Sequence, residues 1–410
     1  MLEALPIHFA NPAQGKDAEA GAAVTASVIR TAEEFAELAE DWRTLFDRSG
    51  CSNIFLSYEW IHAWWEQLGQ GKSLFLIAVR GAKRKLVALA PFCIETSKRL
   101  GWSQRVLSFL CSTQACCDHL DILVEPSLET DAASAIAGQL IAHQSEWAHC
   151  QLSDTNGDSV GLAALIRELQ AAGMLLHREP AGICPYIPLP ETCSRFLGSL
   201  SKSMRTNLRR YERGLDTKGP LQMHCGSAPQ EIERAFAELV RLHELRFAER
   251  AHPSSFLKPQ LQAFHKRLLI SAASRGWVRI YLLSVGEQTV AALYGFATGE
   301  RFFHYQAGMD PAWLRDGVGA LCIRGVIEDC ISRGETEYDF LRGNEEYKSY
   351  WTHVSRRDCT IHLFYPSLMG RMQLTRLRLR NLARSVKREL ETRFRDQHRQ
   401  NGAAKRINPR

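Results

Sequence analysis

A run of three β-prone segments in the second half of the chain is the feature that most constrains its fold. The segments are Trp277–Ser284, Thr289–Ala297 and Arg301–Ala307, and short turns that contain Gly286 and Gly299 join them. Each segment is rich in apolar, β-branched or aromatic residues, and glycine adopts the positive φ of a tight turn without strain. The pattern predicts a three-stranded antiparallel meander.

Helical patterns lie on both sides of this meander. Amphipathic periodicity predicts two long helices before it, at Glu231–Glu249 and Phe256–Ser274, and a glycine-led helix after it, at Asp316–Ser332. A strand from Thr336 and a last strand at Cys359–Phe364 are predicted to complete the unit. The order helix–β–β–β–helix–β resembles the core of the acyl-CoA N-acyltransferase (GNAT) fold.

The first half repeats this order loosely. Thr31 and Glu34 form a capping-box pattern at a helix start, and Ser57 caps a second helix whose Trp60 and Trp64 are expected in the core. We therefore predict a mixed α/β fold (α+β, with mixed sheets) of two tandem GNAT-like domains. The other elements are predicted at Ala26–Arg30, Leu74–Val79, Leu86–Ile94, Val106–Leu110, Leu120–Val124, 130–149 and 159–172. Three polar residues either line a site or cap a strand end: Asp118, His119 and Asp121.

Closely spaced prolines predict the boundary between the two units. Pro180, Pro185, Pro188 and Pro190 follow one another, which is typical of a segment between compact elements. A helix at Phe196–Leu215 is predicted to begin the second unit. The predicted organisation is a flexible arm (1–24), an N-terminal GNAT-like domain (25–180), a C-terminal GNAT-like acyltransferase domain (181–365) and a basic helical tail (366–410).

Positive charge is concentrated at the C-terminal end. Residues 366–410 hold 13 Lys and Arg against 3 Asp and Glu, whereas residues 1–365 carry a formal net charge of −4. This distribution argues against a nucleic-acid surface on the body, and no sequence-specific nucleic acid is expected as a partner. Apolar residues at helical spacing within Arg371–Arg395 predict a basic amphipathic helix. It either lies on an anionic inner membrane face or packs on the body.

Cysteine placement and the N-terminal sequence indicate a cytoplasmic protein. The twelve cysteines lack a pairing pattern, which is typical of a reducing compartment. The cluster Cys111, Cys116 and Cys117 has no second pair of ligands, so no metal is predicted. The N-terminus has no signal-peptide pattern, and no stretch approaches the roughly 20 apolar residues of a spanning helix. Membrane contact is therefore expected to be peripheral, at the inner face.

Four motifs resemble one known family. FLSYEWIHAWWEQLG, LSKSMRTNLRRYERGL, LVRLHELRFAER and YDFLRGNEEYKSYW are similar to the CelD/BcsL-like acetyltransferases, a bacterial family associated with cellulose and exopolysaccharide biosynthesis. The resemblance covers residues 25–365. It implies a double GNAT-like architecture related to FemAB-type transferases. It also implies acyl transfer from acyl-CoA, as co-substrate, to a hydroxyl or amine of a saccharide or cell-envelope precursor.

The segment Thr336–Trp351 supplies most of the candidate catalytic residues. Acyl transfer requires a base for the acceptor, donors for the oxyanion and an acid for the leaving thiolate. Asp339, Glu345 and His304 are the candidate bases. Tyr347 is the candidate acid.

Asp339 also has a structural interpretation. A carboxylate in an apolar strand is costly unless it is paired, so Asp339 is alternatively the ion-pair partner of Arg342 or Lys348. Arg205 and Lys348 are candidates to bind phosphate or sugar oxygens of the substrate. Arg342 and Trp351 are candidates to line the lip of the substrate site.

The donor loop departs from the usual GNAT pattern, in which Gln or Arg stands three residues before the first of two glycines. Gly317 and Gly319 precede a helix here, but Leu314 occupies that position and the nearest arginine is Arg315. Free N–H groups at a helix start still favour a phosphate, so Arg315, Gly317 and Gly319 are the candidate donor-binding residues. Two alternatives stay open: an aminoacyl-tRNA donor, as in FemAB relatives, or a non-catalytic accessory protein of a membrane polysaccharide synthase.

Overall fold

Strands and helices alternate along the chain. The computed structural model describes residues 24–384 and residue 386, apart from 100–101, 113–114, 116, 227 and 249–254; the predicted arm lies outside them except for Val24. The strands are β1 Thr25–Ile29, β2 Lys72–Arg80, β3 Leu86–Arg99, β4 Trp102–Phe109, β5 Leu123–Val124, β6 His149–Asn156, β7 Leu175–Pro188, β8 Leu221–Cys225, β9 Val278–Val285, β10 Gln288–Thr298, β11 Arg301–Met309, β12 Glu337–Asp339 and β13 Ser355–Phe364. The helices are α1 Ala32–Glu37, α2 Ala39–Arg48, α3 Tyr58–Leu68, α4 Glu129–Ala142, α5 Val160–Ala171, α6 Cys193–Ser199, α7 Lys202–Asp216, α8 Pro229–Phe247, α9 Pro259–Ala273, α10 Val318–Ser332 and α11, residues 368–384.

Twelve of these strands form one continuous row. Their order is β1-β2-β3-β4-β6-β13-β7-β12-β11-β10-β9-β8, and β5 pairs with part of β3. The row contains two parallel pairs, β4 with β6 and β11 with β12, and its other neighbours are antiparallel. Six strands of the first half correspond in turn to β8–β13 of the second half: β1, β2, β3, β4, β6 and β7. With this correspondence, the strand order read from the β1 edge of the sheet is the same as the order read from the β8 edge. The second half is therefore a topological repeat of the first.

The two halves exchange their last strands. β13 lies between β6 and β7, and the end of β7 pairs with β12 of the second half. The prediction that Cys359–Phe364 completes the second unit is therefore wrong, because this strand pairs with first-half strands. The proline-containing segment predicted at the boundary between the two units is part of a strand. β7 includes Pro180, Pro185 and Pro188, and Pro180 lies where the register of β13 shifts, a position that tolerates the missing N–H.

The second half has the predicted order of elements. β9, β10 and β11 form the antiparallel meander, α8 and α9 precede it, and α10 leads from β11 to its parallel neighbour β12. The mixed α/β class and the GNAT-like order are thus confirmed. The helix expected at Phe196–Leu215 is instead two helices, because the chain is extended at Leu200 and Ser201 caps α7 by accepting from Met204 N. β8 was not predicted.

Most elements of the first half also follow the predictions. Thr31 and Glu34 form the capping box, although the helix breaks after Glu37 and resumes as α2. Ser57 caps α3 through the backbone N–H of Trp60. The helix expected at 130–149 ends at Ala142, and β6 and β7 were not predicted.

Aromatic side chains of α3 hold the two halves together. Trp60 and Trp64 are 0% and 1% exposed. The Trp60 ring packs edge-on against Phe296 and Tyr305 of the second half, with both centroid separations at 5.4 Å. The prediction that Trp60 and Trp64 lie in the core is therefore confirmed.

The cysteines are free thiols wherever the structure describes them. Cys117 accepts a hydrogen bond from Trp60 Nε1 at 3.1 Å, and Cys116 lies outside the described residues. A search of the described helices finds none that is long and apolar enough to cross a membrane.

Candidate active site

Strands β11 and β12 diverge after three paired residues. Arg301, Phe302 and Phe303 pair with β12, and the chain then turns away through Leu341, whose φ is 57°. A non-glycine residue in this region of backbone space is uncommon. The divergence opens a gap in the sheet. A cavity of about 360 Å³ lies beside the gap, bounded by β10, β11, α7, α10 and the 3-10 helix Glu346–Tyr350.

One end of the cavity meets the start of α10. Gly317 has φ 70°, and a Cβ there would lie 2.3 Å from the ring of Tyr211. A Cβ on Gly319 would lie 2.8 Å from the terminal methyl of Met309. The first intrahelical bonds are donated by Ala320 and Leu321, and Gly317 N–H donates to Leu314 O at 3.3 Å, so the N–H groups of Val318 and Gly319 are the ones not used by the helix. The first turn contains no acidic residue, which suits an anionic group.

His304 lies on β11 and lines the same cavity. Its Nδ1 is 3.0 Å from the hydroxyl of the fully buried Tyr338, and this is the one partner of that hydroxyl among the described residues. A buried hydroxyl donates its proton where it can, so Tyr338 donates to Nδ1 and the proton of the neutral ring is on Nε2. Burial, with smaller contributions from Lys348 and Arg246, lowers the pKa of His304 to about 3. His304 is therefore a neutral N–H donor rather than a ready base.

Tyr347 is the second neutral donor of the cavity. It lies in the 3-10 helix and is half-buried, and its ring is 6.3 Å from that of Phe340. Burial, and then the charge of Glu345, raise the pKa of Tyr347 above its usual range, so the phenol keeps its proton. Trp351 ends this segment and stacks on Phe196 at 6.3 Å while lining the cavity.

Two further polar side chains reach the cavity that the sequence did not single out. Arg246 of α8 lines it and donates to the carbonyl of Ala307 at 3.4 Å. Asn207 of α7 lines it as well. Both residues lie in motifs that resemble the CelD/BcsL-like family. The motifs therefore indicated these segments, although no sequence pattern selected these two positions. Arg246 adds positive charge to a cavity that has no carboxylate among its lining residues.

Other predicted binding residues have mainly structural contacts. Arg205 donates to the carbonyls of Gly198 and Leu200 at the end of α6, and Arg315 is exposed beside the helix start. Lys348 is 3% exposed and donates to the carbonyls of Leu341 and Arg342 at 3.2 and 3.0 Å. Lys348 therefore fixes the turn that follows β12.

Two predicted bases lie apart from the cavity lining. Glu345 is exposed and pairs with Lys348 at 2.9 Å. Asp339 is fully buried and contacts His119 Nε2 at 3.2 Å and Arg356 at 3.5 Å. The predicted pairing of Asp339 with Arg342 or Lys348 is wrong, because the sequence could not show that His119 of the first half occupies this position.

His119 joins two carboxylates at the junction of the halves. Its Nδ1 is 2.7 Å from Asp358, and its Nε2 contacts Asp339. Burial acts to lower the pKa of His119, but the hydrogen bonds and charges of the two carboxylates outweigh it and raise the pKa to about 10. Burial likewise acts against ionised Asp339, yet His119 and Arg356 hold its pKa below the usual range. The group is a buried imidazolium between carboxylates.

Arg342 extends this junction rather than the cavity. Its guanidinium pairs with Asp118 at 2.8 Å and Asp154 at 2.6 Å, both from the first half. Its backbone N–H also donates to Asp118. Burial raises the pKa of Asp118 to about 6, although Arg342 acts to lower it. Asp118 and His119 were noted in the sequence, but their partners lie more than 200 residues away.

One cluster in the described part of the chain has the spacing of metal ligands. Atoms of His119, Cys184 and Asp358 lie within 4.8 Å of one another. Both ring nitrogens of His119 are already bonded to carboxylates, and its raised pKa keeps the ring protonated. Burial also raises the pKa of the Cys184 thiol. An imidazolium and a neutral thiol are poor ligands, so these residues fit an ion-pair network better than a metal.

Most residues that line the cavity belong to a recognised domain. Residues 202–349 match the family model of an acetyltransferase (GNAT) domain. The matched segment contains His304, Tyr347 and the glycines of α10, so the GNAT domain spans both ends of the cavity. A GNAT-like acetyltransferase domain is thereby confirmed. The narrower CelD/BcsL-like family stays a prediction.

Two solved structures share the fold over most of the chain. A crystal structure of FemX is 10% identical, with a TM-score of 0.53, and the alignment covers 79% of this chain and 95% of that chain. A conserved protein of unknown function from Bacteroides thetaiotaomicron is 12% identical, with a TM-score of 0.51 and coverage of 82% and 100%. At these identities the likeness concerns the fold alone. No curated protein matches the sequence.

Proposed function

We propose that the GNAT-like domain transfers an acyl group from acyl-CoA to a hydroxyl or amine of a saccharide or cell-envelope precursor. The observation that carries this proposal is the cavity beside the β11–β12 gap. It joins a helix start without acidic residues to two neutral donors, His304 and Tyr347. The GNAT match supports the reaction class. The saccharide acceptor rests on the resemblance of four motifs to the CelD/BcsL-like family.

The donor is expected to lie along the cavity from α10 to β11. The phosphates of CoA meet the N–H groups of Val318 and Gly319, which are not used within the helix. Arg246 supplies positive charge within the same cavity. The thioester then lies beside the β11–β12 gap, near His304.

The two neutral donors define the proposed chemistry. The acceptor attacks the thioester carbonyl, and the N–H at Nε2 of His304 stabilises the oxyanion that forms. The carbon–sulfur bond then breaks, and Tyr347 gives its proton to the leaving thiolate. The proton released by the acceptor passes through solvent and restores Tyr347. A neutral amine acceptor suits a cavity without a carboxylate base, since its lone pair is already available.

An aminoacyl-tRNA donor is the second candidate, and the surface of α7 favours it. Met204, Asn207 and Tyr211 of this helix line the cavity. The same helix exposes three arginines to solvent: Arg209, Arg210 and Arg213. A cationic surface beside the donor cavity suits a polyphosphate donor larger than CoA.

The test is titration calorimetry of acetyl-CoA with the full chain and two matched variants. Ala320→Glu adds a carboxylate to the first turn of α10, where it faces the cavity and is compatible with a helix start. Thr130→Glu adds the same charge at an exposed position in the first turn of α4. We expect micromolar binding by the wild type and the Thr130 variant, and binding about a hundredfold weaker for Ala320→Glu because of charge repulsion.

The outcomes separate the candidate donors. Equal binding by Ala320→Glu and wild type would show that acyl-CoA binds elsewhere, and the proposed donor site would be rejected. A folded wild type that ignores acetyl-CoA but binds charged tRNA would favour the second donor. Binding of neither would favour the non-catalytic accessory role.

A further inference from the structure

Helix α11 has one face packed on the body. Leu374 and Leu377 are 7% and 6% exposed and pack with Phe364. Gln373 donates to Gln104 at 3.0 Å, and Asn381 bonds His177 at 3.0 Å. The expectation that the tail packs on the body therefore holds for this face. Residues beyond 386 of the predicted tail helix lie outside the described residues.

The opposite face of α11 is apolar and exposed. Leu368, Met372, Leu379 and Leu382 of α11 and the helical residue Val386 just beyond it are between 49% and 78% exposed. At 100° per residue they fall within a sector of about 80° directly opposite the packed face. Scattered exposed leucines are ordinary, but five aligned residues on one helix form an apolar stripe, in which Thr375 is the one polar residue.

Arginines border this stripe on both sides. Arg371 and Arg378 project along one edge, and Arg376 along the other. From residue 368 to 386 the sequence holds five arginines and no Asp or Glu. An apolar stripe between two cationic edges is the pattern of a helix that lies in a membrane interface.

We propose that α11 lies on an anionic membrane surface, with the Leu368–Val386 stripe among the acyl chains and the arginines at the lipid phosphates. Charge favours this occupant over the others. Two α11 stripes face to face would bring cationic edges together, which disfavours a second copy. A nucleic acid would satisfy the arginines but offers little apolar surface to the stripe. This inference is independent of the acyl donor.

Vesicle co-sedimentation of the full chain tests the proposal. The vesicles contain equal parts of phosphatidylglycerol and phosphatidylcholine, or phosphatidylcholine alone. Leu379→Gln/Leu382→Gln removes two stripe residues that are both 62% exposed, so the fold is not at risk. The matched control is Val160→Gln/Ile270→Gln, at helix positions 66% and 71% exposed. All basic residues, including those beyond 386, are unchanged in both variants.

We expect wild type and control to bind the anionic vesicles, and the stripe variant to bind at least about tenfold more weakly. Arg371→Gln/Arg378→Gln is expected to weaken binding to anionic vesicles by about tenfold or more, with little binding to neutral vesicles in any variant. Equal recovery of stripe variant and wild type would overturn the proposal. So would a dimer in light scattering that only the stripe variant loses, or retention by RNA but not by vesicles.

Discussion

In the first half, the gap between the parallel strands β4 and β6 is filled by the chain itself. The loop after β4 returns into it, and Leu120 forms a parallel bridge with Thr155. Its N–H donates to Asp154 O at 2.8 Å, and its carbonyl accepts from Asn156 N at 3.0 Å. Asn53 holds the same loop through two backbone carbonyls.

In the second half, no loop fills the equivalent gap between β11 and β12 among the described residues, and the cavity lies beside it. The helices that follow the two gaps also differ in charge at their starts. The first turn of α4 contains Glu129 and Asp131, whereas the first turn of α10 contains no acidic residue. One repeat thus uses its gap to build the junction, with His119 and Asp118 on the filling loop. The other keeps a gap that suits an anionic donor. Repetition of a fold therefore does not imply repetition of a site.

The largest expected effect comes from breaking the junction. Arg342→Met leaves Asp118 and Asp154 without their cation, and an uncompensated buried carboxylate is costly. We expect the free energy of unfolding at pH 8 to fall by about 3 kcal/mol. The loss should shrink at pH 5, because Asp118, with its pKa raised to about 6, is then protonated. Urea unfolding at the two pH values measures this.

Arg267→Met is the matched control for that prediction. Arg267 pairs with Glu66 at 2.7 Å on the surface, so we expect a loss below about 1 kcal/mol. Similar losses for both variants would mean that the buried junction contributes no more than a surface ion pair.

The open gap of the second half is tested at His304. If its Nε2–H stabilises the oxyanion, His304→Ala should lower kcat by about 10²–10³, whereas His304→Gln, which retains an N–H donor, should stay within about tenfold of wild type. The kcat profile between pH 5 and 8 should show no step due to His304, because burial lowers its pKa to about 3. Steady-state kinetics with the acceptor found in screening measures both. Equal loss in the two variants would contradict the donor role.

Sequence patterns predicted the elements better than their long-range pairing. The meander, the glycine-led helix and the caps at Thr31 and Ser57 depend on local periodicity and side chains, and they are present. The exchange of β7 and β13 depends on pairing across 170 or more residues, which no local pattern encodes. For the same reason the sequence suggested Arg342 or Lys348, which lie close in the chain, as partners of Asp339. The actual partner, His119, is 220 residues away. At the site, Tyr347 was found from its motif and His304 from a predicted strand, as a candidate base. The donor role of His304 depends on Tyr338, which only the structure brings to it.

The junction also predicts how stability depends on pH. The pKa of His119 is about 10 in the folded chain and about 6.5 in an unfolded one, so the folded state holds one more proton between these values. This contribution is complete below pH 6.5 and is lost as the pH rises to 10. We expect a decrease of a few kcal/mol in the free energy of unfolding over this window, and His119→Asn should remove it. The exposed His353→Asn is the control. A slope that persists in His119→Asn would assign it to another group.

The smallest expected effect concerns the start of α4 in the filled half. Removing its acidic residues with Glu129→Gln/Asp131→Asn should cost less than about 1 kcal/mol of stability, since both lie in the first turn of an exposed helix end. Acyl-CoA stoichiometry should stay at one per chain, because the filling loop and not the acids closes the gap of this half. Calorimetric titration of this variant beside wild type measures the stoichiometry. A second binding event in the variant would contradict this prediction. It would mean that the acidic charge, and not the filling loop, prevents acyl-CoA from binding to the first half.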